Sequence, residues 1–479
     1  MTISIKKASS GFGWIVLTNT LNRLFGFGTT LILAKILAPE HFGLVAAAET
    51  MVAILKVFRD FGIGQALIQT SRNDAITHDT AFVMMIVLSP ILFFFAWLMS
   101  PYMADFLESP DLTPILIIMS TNIMALTTRS VPDALIRKEV EFQKFVIPDV
   151  ISVLAAAAVG IYLALNDYGV WSLVIRTLIF YWLGTAMIWY VSGYRPSFRF
   201  NRKIALELFH YSKFVVGATI LLMATTNIDR IFISKMEGMV ALGVYTLAFG
   251  LASIPVSEFG HLICRIVFPV FSKVKDNLVE LRKFLLYAVR LEGLITIPMA
   301  VGLMVYGPLL VDLVFEEKWI GLGAALRILA ITALFRSFSI IFHEAFRAIG
   351  KPKLVQQIIA VRLAILLIFS YPSLLFAGLD GFCWMLTISA SITLMAELYF
   401  IKKITRVRLF DVFNMTLYPI LISLCSILPS YYLLNIISED PNILYTTLAV
   451  MFTAATYFLI MSLLLREYII QLLHEIKSS

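Results

Sequence analysis

The stretch AFVMMIVLSPILFFFAWLMSPYM (81–103) holds no charged residue and decides how the rest of the chain is read. A helix of this length rises roughly 34 Å, enough to cross the hydrocarbon core of a bilayer. Runs of the same kind recur from one end of the chain to the other. Hydrophobic residues make up 60% of the 479 positions and charged ones 14%, with a mean hydropathy of +0.89. A soluble protein of this length would divide into two to four domains. Apolar windows this wide and this poor in charge are membrane spans instead. We read about fourteen, beginning 11–37, 42–66 and 79–103 and ending with 442–466. The expected fold class is therefore an all-α polytopic membrane protein.

Between the spans, charge alternates. The odd-numbered turns are acidic, with Glu40; Asp105, Glu108 and Asp111; Asp167; Glu316 and Glu317; Asp380; and Glu439 and Asp440. Lys35, Lys235 and Lys318 are the main exceptions. The even-numbered turns are basic, among them Arg137, Lys138 and Lys144; Arg195, Arg199, Arg202 and Lys203; and Lys402, Lys403, Arg406 and Arg408. Short loops rich in Lys and Arg stay cytoplasmic. Both termini then lie on the cytoplasmic side, which requires an even number of spans. The net charge of +7 follows largely from this bias and from lipid headgroup contact, not from nucleic-acid binding. The head Met1–Lys7 runs into a long span without a small-residue cleavage site, so a removed signal peptide is not expected. Cys264, Cys383 and Cys425 lie far apart in apolar runs and read as small buried hydrophobes.

The chain repeats itself. LAKILAPEHFGLVAAA (33–48) aligns with ISKMEGMVALGVYTLA (233–248), matching Lys35 with Lys235, Gly43 with Gly243 and Ala48 with Ala248 at an offset of 200. Further on, Pro101 and Asp105 echo Pro308 and Asp312, and Gly169 and Trp171 echo Gly381 and Trp384. Six spans separate the paired segments, so the halves share one orientation and form a parallel repeat. The polar stretch Ser192–Lys203 is the break. The expected divisions are 1–203 (spans 1–6), 204–404 (spans 7–12) and 405–479 (spans 13–14 and a cytoplasmic tail).

Ionisable groups at membrane depth are costly and face a cavity or a partner. Span 1 carries Asn19, Asn22 and Arg23, and span 2 carries Lys56, Arg59 and Asp60, each with i, i+3, i+4 spacing. Span 7 holds Asn227, Asp229 and Arg230; span 8 holds Glu258, His261 and Arg265. Placed together, these stripes would line one cavity. Cations outnumber anions in them, and the planar guanidinium fork suits phosphate oxygens. The candidate substrate-binding residues are Asn22, Arg23, Lys56, Arg59, Arg230 and Arg265. Asp60, Glu258 and His261 are candidates for ion coupling. For each residue the competing role is a helix brace or an anchor at the membrane surface. Pro90, Pro148, Pro255 and Pro298 fall inside spans and are candidate kinks.

No Walker loop, HExxH, GxSxG or metal-ligand cluster occurs. The short outer connections leave no room for the extracytoplasmic loop that a membrane enzyme acting on lipid-linked sugars needs. No enzymatic activity and no cofactor is expected, with proton or sodium coupling left open.

The segments NRLFGFG (22–28), LAKILAPEHFGL (33–44), FRDFGIGQ (58–65), ALIQ (66–69), DRIFISKM (229–236), GVY (243–245) and PVFSK (269–273) resemble the polysaccharide transporter family. Its members are Wzx-type flippases of the multidrug/oligosaccharidyl-lipid/polysaccharide exporter superfamily. The resemblance covers essentially the whole chain and marks the superfamily better than the substrate. It implies two six-helix lobes, with two further helices in long members, and a cationic cavity. It implies flipping of undecaprenyl-pyrophosphate-linked oligosaccharides from the cytoplasmic to the periplasmic leaflet of a bacterial inner membrane. The product would be O-antigen, capsule or exopolysaccharide. Implied partners are that glycan and membrane lipids, with the pathway's polymerase and chain-length regulator as further candidates. Arg23 and Lys56 match basic cavity positions of related flippases, Lys56 as Lys for Arg. The alternative is a drug or cation antiporter of the same superfamily, which would favour an acidic cavity.

Overall fold

The computed structural model describes residues 5–59, 62–70, 72, 74–315, 317–437 and 442–478. Side chains at 5–12, 15–17, 211–218, 222, 257–259, 261–262, 265–266, 433–437 and 463–478 lie outside that description. The candidate Asp60 therefore falls outside the described residues, as do the side chains of Glu258, His261 and Arg265.

Everything regular among the described residues is helical. The helices are α1 (Ile5–Ile36), α2 (Pro39–Lys56), α3 (Ile63–Gln69), α4 (Ala75–Phe106), α5 (Leu112–Lys138), α6 (Val146–Leu165), α7 (Val170–Ser192) and α8 (Arg202–Met236). They continue with α9 (Gly238–Val274), α10 (Leu278–Phe315), α11 (Leu322–Ala348), α12 (Pro352–Thr405), α13 (Leu409–Ile437) and α14 (Ile443–Ser478). α12 is two rods in one, broken where Ala377 leaves helical geometry and Gly378 takes φ +54°. Apart from the seven-residue α3, the described residues thus form fourteen rods, the number of spans expected. Ten of the described helices, with α12 taken as one, are long and apolar enough to cross a membrane.

Burial runs opposite to that of a soluble core. Only 28% of the apolar window of α4 is buried inside the protein, and Ile91, Phe94, Phe95 and Leu98 are exposed. With no water-facing polar stripe to balance them, these side chains face lipid.

Three expectations change. Cys264 and Cys383 are buried, but Cys425 is exposed, on the outward side of α13 with Leu424 and Leu428. The apolar run 42–66 is not one span: α2 ends at Lys56 and α3 restarts at Ile63. Gly62, at φ +75°, sits in the left-handed region that only glycine adopts freely and forms the N-cap from which α3 starts. Pro148 is the third residue of α6, in the first turn, where its missing N–H costs no helix bond. Pro90, Pro255 and Pro298 do lie within helices.

Packing divides the chain into two compact units, Met1–Thr246 and Leu247–Ser479. In the first, α1 packs on α6, α6 on α7, α5 on α4 and α7, and α2 on α5 and α8. In the second, α10 packs on α11 and α13, and α11 packs on α12, around Phe271, Leu285, Val289, Phe342 and Phe346. The division expected at 203/204 rests on the sequence repeat; the compact units divide the chain by packing, at 246/247.

One crossing in the first unit brings two matched glycines together. A Cβ on Gly43 would lie 1.8 Å from the Met239 carbonyl oxygen, and one on Gly243 would lie 1.9 Å from the Pro39 oxygen. Residue 43 meets 239 and residue 243 meets 39. This is the reciprocal pairing that a two-fold relation imposes on its contacts, at the offset of 200 found in the sequence.

Beside this crossing, Lys235 Nζ donates to Glu108 Oε1 at 2.7 Å and lies 5.2 Å from the centre of the Phe106 ring. That hydrogen bond and charge hold the Glu108 carboxyl below its usual range. A lowered folded-state value contributes stability above the unfolded carboxylate pKa, about 4.3, and loses it as pH falls through the folded value. Thermal denaturation should therefore show a small acid-side loss between pH 5 and 3 that Glu108→Gln removes. An unchanged acid limb in that variant would deny the pair this role.

Candidate functional site

Helical periodicity builds the site. Asn22, Gly26 and Thr30 recur every fourth residue on α1. Phe42, Val45, Ala46 and Glu49 share one face of α2; Leu173, Arg176, Thr177, Phe180 and Tyr181 share one face of α7. These faces, with Val153 and Ala156 of α6 and Thr246 of α9, enclose a cavity of about 400 Å³ in the first unit.

Arg176 is its chief charge. Gly160 of α6 makes room for it: a Cβ there would stand 3.0 Å from the Arg176 Cβ, so the stem lies flat against bare backbone. The head is sparingly used. Nη2 reaches Gly26 O and Thr30 Oγ1, both at 3.5 Å, the outer limit of a hydrogen bond. Gly26 O already accepts the Thr30 hydroxyl at 2.8 Å. A guanidinium offers five N–H donors, so most of this capacity is unspent. A Cβ on Gly26 would meet nothing within 4 Å, so open space lies above it. Asn22 Oδ1 is buried without a hydrogen-bond partner. Glu49 interacts electrostatically with Arg176.

Lys56, in the last turn of α2, bounds the site. Its Nζ donates to Tyr181 Oη at 3.2 Å and lies 4.7 Å from the centre of that ring. The site thus holds an underused guanidinium, a carboxylate, an amide, three threonine hydroxyls and a phenol already bonded to an ammonium. Such a set can grip an anion with several oxygens while offering hydroxyl partners beside it.

The other expected residues are distributed differently. Asn22 lines the cavity and Lys56 touches its wall. Arg23, one residue on, is exposed on α1, and Arg59 is half-buried just past the end of α2. Arg230 is half-buried on α8; its N–H donates to Asp229 Oδ1 at 2.9 Å. Asp229 also accepts a short bond from the Tyr245 hydroxyl, which ties α8 to α9. Arg176, Glu49 and Tyr181 were missed. The signal for the two charged ones was available, since each is an ionisable residue inside an apolar run.

The second unit holds a larger void, about 640 Å³, between α10, α13 and α14, with Pro255 of α9. Its lining is almost wholly apolar, and its phenols are spent: Tyr457 Oη donates to Leu294 O at 2.6 Å, and Tyr306 Oη bonds Thr453 at 2.9 Å. A charged headgroup would find no partner there. Elsewhere in this unit His343 Nε2 lies 3.0 Å from Glu397 Oε1, a buried link between α11 and α12. No cluster of three or more His, Cys, Asp or Glu is arranged to hold a metal among the described residues.

Comparison with known proteins bears on family and fold. A family described as polysaccharide biosynthesis protein matches residues 32–324. The lipopolysaccharide biosynthesis protein WzxC of Escherichia coli is 26% identical over 338 residues, covering 69% of this chain and 68% of that one. The succinoglycan biosynthesis transport protein ExoT of Rhizobium meliloti is 26% identical over 331 residues, covering 69% and 67%. Among solved structures, the lipid II flippase MurJ in an inward closed conformation superposes with a TM-score of 0.73 at 16% identity, covering 95% of this chain and 99% of that one. At that identity the likeness is one of fold.

Proposed function

Because the chain belongs to the polysaccharide biosynthesis protein family, we propose that it is a flippase for lipid-linked oligosaccharide repeat units. It carries an undecaprenyl-pyrophosphate-linked glycan from the cytoplasmic to the periplasmic leaflet of a bacterial inner membrane, for surface polysaccharide assembly. Both termini lie in the cytoplasm. The glycan changes leaflet and is not altered chemically, so the protein is a transporter and not an enzyme.

One observation carries this reading: Arg176 sits deep in a polar cavity with its donors mostly unspent. A guanidinium at membrane depth costs about 2.5–3.5 kcal/mol on insertion scales. That cost is offset in use if the ligand brings the counter-charge. A pyrophosphate does so, with oxygens for Arg176, Asn22 and Lys56, while Tyr181, Thr177 and Thr30 offer partners to the first sugar. Arg23, Arg59, Arg230 and Arg265 would guide the headgroup at other stages of the cycle. Asp60, Glu258 and His261 remain the proposed ion-coupling groups. Alternating access follows from the parallel repeat, whose halves rock to expose the site to each side in turn. The pathway's polymerase and chain-length regulator would receive the product.

The antiporter reading rests on Glu49, the one anion on the cavity wall. Beside Arg176 it does not make the acidic chamber a cation requires. Deletion of the gene separates the two: a flippase defect leaves lipid-linked glycan in the inner leaflet, whereas an antiporter defect changes drug tolerance alone.

A smaller effect belongs to Lys56. Lys56→Gln removes one charge-assisted contact, about 1.5 kcal/mol. It should weaken binding of the lipid pyrophosphate roughly tenfold, with Tyr181→Phe losing less. Equal binding by wild type and Lys56→Gln would remove Lys56 from the site.

A further inference from the structure

The segment between α7 and α8 does more than connect. Residues 193–201 have no regular structure, yet their backbone is fixed. Tyr194 Oη and the Ser197 N–H both donate to Asp79 Oδ1, at 3.2 and 3.0 Å, and the Asn201 N–H donates to Thr80 Oγ1 at 3.1 Å. Asp79 and Thr80 are buried in the second turn of α4. The Asn201 side chain then caps α8, accepting from Lys203 N and Ile204 N. Inside this strap, Tyr194 packs on Phe82 and Trp189, with ring centres 6.3 and 5.8 Å apart.

The outer side is the reverse. Arg195, Arg199, Arg202 and Lys203 are all exposed, with Phe198 at 75% and Phe200 at 55%. No acid lies between Gly193 and Leu206. The next one, Glu207, is occupied by Arg72 at 3.4 Å, and Asp79 spends its carboxylate inward. Four cations are therefore held on a rigid backbone with no ion-pair partner among the described residues, beside the exposed Phe200 and the exposed Phe198, whose ring centre lies 6.1 Å from that of Phe82. The strap starts where α7, a membrane span, ends, so these side chains lie at headgroup depth. Aromatic rings favour that layer, and cations there are drawn to anionic lipid.

We infer that the strap 195–203 is a docking surface for anionic phospholipid headgroups of the leaflet in which it lies. Each basic residue near an anionic surface strengthens attachment by roughly fivefold. Binding rests on charge at a fixed depth, so Lys should serve where Arg stands. This site is separate from the transport cavity and does not depend on what that cavity carries. Through Asp79 and Thr80, a lipid bound here is tied directly to α4.

The test uses the full-length protein in neutral detergent, titrated with radiolabelled short-chain phosphatidylglycerol. Phosphatidylcholine of the same chain length and inorganic pyrophosphate are the comparison ligands. Wild type should prefer phosphatidylglycerol at least tenfold over phosphatidylcholine. The variant R195Q/R199Q/R202Q/K203Q should lose at least tenfold in that affinity, while K351Q/K353Q/K402Q/K403Q, with the same change in net charge, keeps it. R195K/R199K/R202K should bind as wild type does, which also shows that the strap tolerates replacement. The inference is overturned if the strap variant keeps its affinity or the control variant loses as much. It is equally overturned if inorganic pyrophosphate displaces the lipid as effectively as phosphatidylglycerol does.

Discussion

Arg176→Gln should leave a folded protein that no longer holds a lipid pyrophosphate. Glutamine keeps hydrogen-bonding atoms in the cavity but removes the charge and the planar fork. A hydrogen bond to a charged group contributes about 1.5–3 kcal/mol, so affinity should fall roughly ten- to 150-fold. Stability should change little or improve. Arg176 spends its head on two contacts of 3.5 Å, and burying a charge with such partners costs more than burying an amide. Arg176→Lys should recover part of the binding, since it restores the point charge without the fork. Equilibrium binding of a labelled lipid pyrophosphate, with a melting curve for each variant, checks both halves. A variant that binds as wild type does would move the headgroup site away from this cavity.

Gly43→Ala and Gly243→Ala should each destabilise the protein strongly, for one shared reason. The added methyl would sit 1.8 or 1.9 Å from a carbonyl oxygen of the facing helix. Backbone atoms cannot rotate away as a side chain can, so the two helices must separate along their seam. The expected loss is about 3 kcal/mol each, the upper end of overpacking costs. The double variant is the sharper test. Once either methyl has opened the crossing, the second enters space already made, so the combined loss should fall well short of the sum. Thermal denaturation of the four proteins in detergent measures it. Full additivity would mean that the two glycines do not share one contact.

These two effects also mark what the chain discloses. Charge-free runs such as 81–103 reveal spans because a bilayer leaves no other use for them. Gly43 and Gly243 stood out in the sequence as a matched pair at an offset of 200, because the one crossing they share leaves no room for a side chain on either helix. The end of α2 was not legible. Apolar residues continue through FGIGQALIQ (61–69), and only the backbone, in the turn bonds of Phe58 and Arg59 and in the left-handed Gly62, shows that the chain leaves the helix. Arg176 and Glu49 stood in view as charges within apolar runs. What composition could not supply is which faces meet. That α7 lies beside α1 and α2 is a tertiary fact, and periodicity within one helix carries no information about its neighbours. The same limit separates Asn22, which lines the cavity, from Arg23, one residue and about 100° of helix away.

The most direct test of the account is leaflet exchange. Purified protein in liposomes would be given an undecaprenyl pyrophosphate bearing a labelled sugar in one leaflet, and the label read from the other with a membrane-impermeant reagent. The account predicts protein-dependent transfer of chemically unchanged lipid, lost in Arg176→Gln. Transfer at an equal rate in that variant, or a label that never crosses with wild type, would contradict it.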